Sequence, residues 1–309
     1  MSVVSFVPKL WAAGLLVPYH GASVFTQGSV ANRDYEGEIT RKGDSVEINT
    51  IGSVTIRDYD PDADLTFDSV STAGQTLLID QAKVFSFYVN DVDKVQAAGD
   101  FKSHAITEAG ISLAEVADAF AATVVARNAD AANKIGRVKI VSGGTGIAGD
   151  GQITAYDLLV DLGQKLNEAD VPLAGRYVVV PPAFVAATQK DDRFARVDAA
   201  GSDETLRNGL VARAAGFDIL ISNRLATVGG TGAAKDDKVI VAGVPGAFTF
   251  ADQIVNVEAG RSEKRIADWV RGLNVFGAKV TRPKGIATAS IQAFEPGTGS
   301  DMVVVAPAP

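Results

Sequence analysis

The sequence predicts an α+β fold that combines an elongated strand ribbon, a long spine helix and an α/β lobe. Three observations predict it. Period-two alternation at Val46/Ile48, Val54/Ile56 and Phe85/Phe87/Val89 is the pattern of strands with one apolar face. An apolar stripe at spacings of three and four through Leu113, Val116, Ala117, Phe120 and Val124 is the pattern of one helix face. From residue 137 to 256 strand and helix text alternate, as a sheet covered by helices requires.

Composition limits what such a chain can do. Its 309 residues suit two lobes, and 47% hydrophobic against 21% charged residues supply cores without suggesting disorder. No cysteine is present, which removes disulfides, thiol nucleophiles and thiolate metal sites. With His20 and His104 as the only histidines, no multi-histidine metal site and no histidine-based catalysis are expected, and both are read as structural. Pro8 and Lys9 interrupt the opening segment, so no signal peptide is predicted. No run of roughly 18 uninterrupted apolar residues occurs, which predicts a soluble protein with no membrane partner. A net charge of −8 argues against a nucleic-acid surface built from excess basic residues.

The elements follow in order. Residues 1–35 show neither period, mix Pro8, Trp11, Pro18, Tyr19 and Phe25 with small residues, and are predicted to be an extended arm. Aromatics in such an arm need a surface, either their own body or a second copy. Residues 36–91 read as one long β-hairpin around the acidic connection DYDPDADLTFD, with Arg41, Lys42, Asp44 and Arg57 at polar positions. Residues 92–135 hold the spine helix, from about Val92 to Asn133, with Ser112 and Glu115 at capping-box spacing and Gly99 and Gly110 as weak points.

Residues 136–255 make the α/β lobe: RVKIV, a glycine-rich loop, a helix from Thr154 to Ala169 with Leu158, Leu159, Leu162 and Leu166 on one face, RYVVVPP, a helix opening at Pro182, FDILIS and KVIVAGV. Residues 256–295 return to strands, with Arg282-Pro283-Lys284-Gly285 as the turn between NVFGAKV and IATASI. Residues 296–309 are a proline-bearing tail.

No motif survives as a catalytic, cofactor or metal site. Gly144-Thr145-Gly146-Ile147-Ala148-Gly149 is a literal G-x-G-x-x-G, but a dinucleotide site needs the helix to start inside that loop and a carboxylate to close the next strand. Here the cap is Thr154, and the next strand ends in Val180-Pro181-Pro182. Asp58, Asp60, Asp62 and Asp64 alternate like a calcium loop, yet Leu65 and Ser71 stand where glycine and glutamate belong. Asp191-Asp192 and Asp236-Asp237 are read as surface pairs. The serine elbow G-x-S-x-G and the phosphate loop are missing.

In the order NRDYEGEITRKGDSVEINTIGSVTIRDY, LLIDQAKVFSFYVNDVDKVQA, RYVVVPPAFVAATQKDDRF, GFDILISNRL and FGAKVTRPKGIATASI, the chain resembles the major capsid proteins of tailed double-stranded DNA bacteriophages, of actinobacteriophage type. The resemblance spans most of residues 32–292 and implies the HK97-like capsid fold. It makes residues 1–35 the N-arm, 36–91 the E-loop, 92–135 with 256–295 the P domain, and 136–255 the A domain. It further implies a non-enzymatic virion protein, assembled in the host cytoplasm into an icosahedral shell. Trp11, Tyr19, Phe25, Arg41, Lys42, Asp44 and Arg57 become candidate contacts between subunits.

The implied partners are the chain itself in hexamers and pentamers, a separate scaffolding protein, a portal, a decoration or cement protein, and packaged DNA as a non-specific neighbour. No cofactor is implied. Lys42 is also a candidate for a lysine–asparagine crosslink between subunits, with noncovalent cohesion the preferred reading. Two alternatives stand beside this one: the shell of an encapsulin-like compartment, and a dinucleotide-binding enzyme.

Overall fold

A computed structural model describes residues 21, 23–34, 44–51, 56, 72–90, 101–141, 152–189, 213–229, 236–262 and 267–292. Among them the strands form three sheets. β1 (Ser45–Ile51) pairs with β2 (Thr72–Leu78), and β3 (Gln81–Asn90) lines up with β11 (Ala267–Val280) and β10 (Phe248–Arg261). The seven-stranded sheet runs β5 (Gln152–Thr154), β4 (Lys134–Val141), β12 (Ile286–Ile291), β9 (Lys238–Gly243), β6 (Tyr177–Val180), β8 (Phe217–Ile221) and β7 (Arg213–Ala214). The helices are α1 (Phe101–Arg127), α2 (Ala155–Glu168) and α3 (Pro182–Gln189).

In the α/β lobe, local sequence decides most of the outcome. Thr154 caps α2, its side chain accepting from the Asp157 N–H at 3.1 Å. Leu158, Leu159, Leu162 and Leu166 are all fully buried, against Val178, Val180, Ile240, Ala242 and Ile291. Each such burial stabilises by about 2 kcal/mol. Pro182 opens α3, where its missing N–H costs nothing. All four residues of β6 are buried, as expected of an apolar run lying inside a sheet.

The last described strand departs from the predicted division at 255/256. β12 lies between β4, to which it is parallel, and β9, to which it is antiparallel. It therefore belongs to the lobe's sheet rather than to the strands of 256–295, while β10 starts at Phe248, inside the span assigned to the lobe. The Arg282–Gly285 turn is real, with Pro283 opening a 3-10 turn, but it sends the chain from one sheet to another. Strand text specifies an extended backbone and leaves the partner open.

The described part of the spine runs from Phe101 to Arg127, after which Asp130 caps a short 3-10 turn. Its buried face is Ala117, Asp118, Ala121, Ala122 and Val125, rotated from the predicted stripe, and Val116 is exposed. Alanine faces let β11 approach closely, while Phe120 reaches round to meet Phe276 edge-on at 5.6 Å. Ser112 and Glu115 lie inside the helix, so they form no capping box. Helix α1 is also long and apolar enough to cross a membrane by length and composition, although polar residues interrupt its apolar run. Its apolar residues here share a core with Phe25, Phe248, Phe250 and Phe276.

In its described part the hairpin consists of β1 and β2, without the predicted strand over residues 81–90. β1 and β2 pair from Ser45↔Leu78 to Ile51↔Thr72, whereas β3 turns away after Asp80 and pairs along β11 from Phe276↔Gln81 to Ala267↔Asn90. Ile56 is exposed and outside any strand. Val46, Ile48, Leu77 and Ile79 bury one face of the hairpin on Ala251 and Val275.

Gly277 makes this seat possible. A Cβ there would lie 2.3 Å from the Leu78 carbonyl oxygen and 2.9 Å from Ile79 Cδ1. Lys279 Nζ donates to the Thr76 carbonyl at 2.7 Å, and Gln75 Nε2 to the Thr281 carbonyl at 3.1 Å. Gly277→Ala should lift the hairpin from β11. Limited proteolysis should then cut within residues 44–51 and 72–80 faster than in wild type, while the lobe keeps its resistance; unchanged protection of the hairpin would contradict this account.

Candidate functional site

The residues with the most specific geometry sit where residues 23–34 cross α1. Val24, Phe25, Val30 and Ala31 are buried in the core shared with α1 and β10. The segment turns on itself through Val30 N–H and Ala31 N–H, both donating to the Gln27 carbonyl, at 3.0 and 2.8 Å. It then joins β10: Asn32 N–H donates to the Phe248 carbonyl at 2.8 Å, and Phe250 N–H to the Asn32 carbonyl at 3.1 Å. Arg33 completes this anchor, donating to the Thr26 carbonyl at 2.9 Å, pairing with Asp252 at 2.6 Å and lying 6.0 Å above the Phe250 ring.

A second anchor grips the other end. Asp118 is fully buried, and its Oδ1 accepts the N–H groups of Val24, Phe25 and Thr26 at 2.8, 2.7 and 3.2 Å. Successive N–H groups pointing one way form a concavity for an anion, and the chain fills it with its own carboxylate. One turn away, Glu115 pairs with Arg224, which also donates to the Gly21 carbonyl at 3.0 Å. Burial pushes the Asp118 carboxyl above its usual range, against the pull of the three N–H donors and the Arg224 charge.

A third feature lies at the lobe's edge. Asp237 is buried and takes Arg137 in a two-pronged pair, at 2.5 Å from Nε and 3.2 Å from Nη2. This corrects the reading of Asp236-Asp237 as a surface pair for Asp237, while Asp236 is exposed. The Asp237 backbone also accepts from Val228 N–H, so the loop after β8 is tied to β9 at the same point.

The candidate contacts fare differently. Phe25 is fully buried within its own chain, which leaves no side-chain surface for a neighbour and corrects its assignment as a contact between subunits. Asp44 is half-buried, and its carbonyl accepts from Ile79 N–H at 3.1 Å to close the hairpin's base. Trp11, Tyr19, Arg41, Lys42 and Arg57 lie outside the described residues, as do His20, the alternating aspartates of 58–64, Asp191-Asp192 and Gly144–Gly149. Helix α2 nevertheless starts only after β5, so it does not open inside the glycine motif. Among the described residues no group of three or more His, Asp or Glu side chains is placed to hold a metal.

Sequence reasoning missed Asp118, Arg224 and the Arg137–Asp237 pair, and it gave Glu115 a capping role in place of its ion pair with Arg224. Asp118 did leave a signal. It stands three, four and seven residues before Ala121, Ala122 and Val125, the spacing of one helix face, so a charge was being placed on a buried stripe.

Arm base, hairpin, spine helix and α/β lobe together define the HK97-like capsid fold, the class of protein that builds viral shells. The chain belongs to the family described as phage capsid protein, whose model matches residues 74–289. It is similar to a solved structure from Mycobacterium phage Che8, at 30% identity and a TM-score of 0.69, covering 93% of this chain and 98% of that one. It also shares its fold with a capsid structure of the cyanophage P-SCSP1u, at 19% identity, TM-score 0.69 and coverage of 94% and 93%. The capsid of Ralstonia phage GP4 does so at 15% identity, TM-score 0.65 and coverage of 96% and 99%. No curated protein matches the chain. The protein is thus a structural capsid shell protein of the virion, and neither the compartment nor the enzyme alternative is favoured.

Two outcomes are expected from the buried charges. Since burial raises the folded pKa of Asp118, its linked contribution to stability is fully present below the unfolded carboxylate pKa and is lost as pH rises through the folded value. Urea midpoints of wild type relative to Asp118→Asn should therefore be highest in acid and fall toward neutral pH; a flat or rising difference would count against it. For the lobe pair, Arg137→Met takes a two-pronged charged partner from a buried carboxylate, whereas Asp237→Asn leaves a half-exposed guanidinium that water can serve. Arg137→Met should lower the melting temperature more than Asp237→Asn does, and the reverse order would refute the asymmetry.

Proposed function

We propose that the chain forms the icosahedral head shell around packaged double-stranded DNA, in hexamers and pentamers joined through its arm, its hairpin and the edges of its lobe. Membership of the phage capsid family carries this reading. The hairpin supports it physically: a two-stranded ribbon is marginal alone in water, and this one buries a single face near its base. A ribbon that continues beyond its seat gains stability by lying on a neighbour, and head-to-tail contacts of that kind close rings.

In this proposal Trp11 and Tyr19 anchor the arm on an adjacent subunit, and Arg41, Lys42, Asp44 and Arg57 are the hairpin's polar contacts. Cohesion is noncovalent and no step is enzymatic. A separate scaffolding protein directs assembly in the host cytoplasm, the portal occupies one vertex, and a cement protein decorates the finished shell. The acidic chain holds DNA as a non-specific neighbour, because strong phosphate binding would hinder movement of the genome.

The test is negative-stain microscopy of the expressed chain with its scaffolding protein. Uniform closed particles are expected from wild type. The double variant Arg41→Ala/Lys42→Ala should melt as wild type does but give few or no particles. Uniform monomers from the wild-type chain under these conditions would overturn the proposal, and normal particles from the double variant would remove those two residues from the interface.

A further inference from the structure

We infer that Asp118 and Arg224 form a positioning latch that fixes the place and direction of the backbone at Gly21 and Val24–Thr26, the base of the proposed arm, and so where the arm meets a neighbouring subunit. The inference rests on the arm's proposed role as a contact between subunits. Its own basis is the geometry of residues 21–26. Phe25 and Val24 already hold this segment by burial, but apolar burial is non-directional and leaves the backbone free to turn about the plug. The carboxylate removes that freedom. Three consecutive N–H groups at 2.8, 2.7 and 3.2 Å from one oxygen define the orientation of three successive peptide planes.

Arg224 extends the control outward by five residues or fewer. Its Nη1 holds the Gly21 carbonyl at 3.0 Å, and its Nη2 is held by Glu115 on α1. The planar guanidinium fork therefore fixes the Gly21 peptide relative to the spine. The latch also spans separate parts of the fold, since Asp118 and Glu115 lie on α1 while Arg224 lies in the loop between β8 and β9. The direction of the backbone at Gly21 thus depends on how spine and lobe sit together.

Stability alone is a poor reason for this arrangement. A carboxylate buried with its second oxygen unpartnered carries a desolvation cost that a neutral acceptor would avoid. What the charged group adds is a stronger and more directional hold on several donors at once.

The experiment uses the full-length chain with its scaffolding protein and compares Asp118→Ala, Asp118→Asn and Arg224→Lys with wild type and with a deletion of residues 1–20. Three readouts are taken: the melting curve, amide exchange of Val24, Phe25 and Thr26, and particle yield by negative stain. In Asp118→Ala those three amides should exchange at least about tenfold faster, as locally opened backbone does. Particle yield should fall to that of the arm deletion in both Asp118→Ala and Arg224→Lys, and Asp118→Asn, which keeps one oxygen acceptor without the charge, should give an intermediate yield.

Arg224→Lys leaves the core untouched, so it decides the matter if Asp118→Ala loses its cooperative melt. Wild-type particle yield from Arg224→Lys, when the arm deletion yields none, would overturn the latch and leave the arm's role intact. Normal particles from the arm deletion itself would overturn both.

Discussion

The structure depends on one strand that must satisfy two different neighbours. β11 presents Val275 and Gly277 to the hairpin on one face, and Phe276 and Val280 to the core of α1 on the other. Because side chains alternate, a slip of one residue along β10 or β3 would send Phe276 toward the hairpin and Gly277 toward the helix. Neither seat would then fit, since Gly277 is where the Leu78 backbone comes closest. The register of this three-stranded sheet thus holds the ribbon and the spine together, and through them sets where the arm base can lie.

Elements whose signal is local were legible from the amino acids. Helix α2 needed only Thr154 and four leucines, and β6, β8 and β9 needed only their apolar runs. What stayed hidden was partnership. β3 has the alternation of a hairpin strand and pairs elsewhere, and β12 follows a turn yet crosses to the other sheet, because alternation fixes a strand's faces without naming its neighbour. The spine's stripe was placed by its large residues, whereas its buried face is mostly alanine, which hydropathy patterns weigh lightly. The class of protein was legible from the order of parts.

The candidate site was harder to see than the fold. Asp118 meets Val24 across 94 positions of sequence, and Arg224 meets Glu115 across 109. Such pairs carry no spacing rule. The contacts expected from the arm and ribbon came from the resemblance, and the one aromatic among them that is described, Phe25, turns inward. Both charged clusters found here instead join segments within the chain: arm base to spine and lobe, and loop to sheet edge. Directional bonds at these seams fix the arm base and the loop in place where apolar burial alone would leave them free to turn.

The place of β12 has a consequence for synthesis. The ribosome delivers β4 and β9 well before residues 286–291, and until those emerge each has an open edge where β12 will lie. A polypeptide lacking residues 286–291 would therefore carry a split sheet with two unpaired borders, one on β4 and one on β9. Open borders of that kind invite pairing with another chain, so β12 protects the sheet from strand-to-strand association as well as completing it.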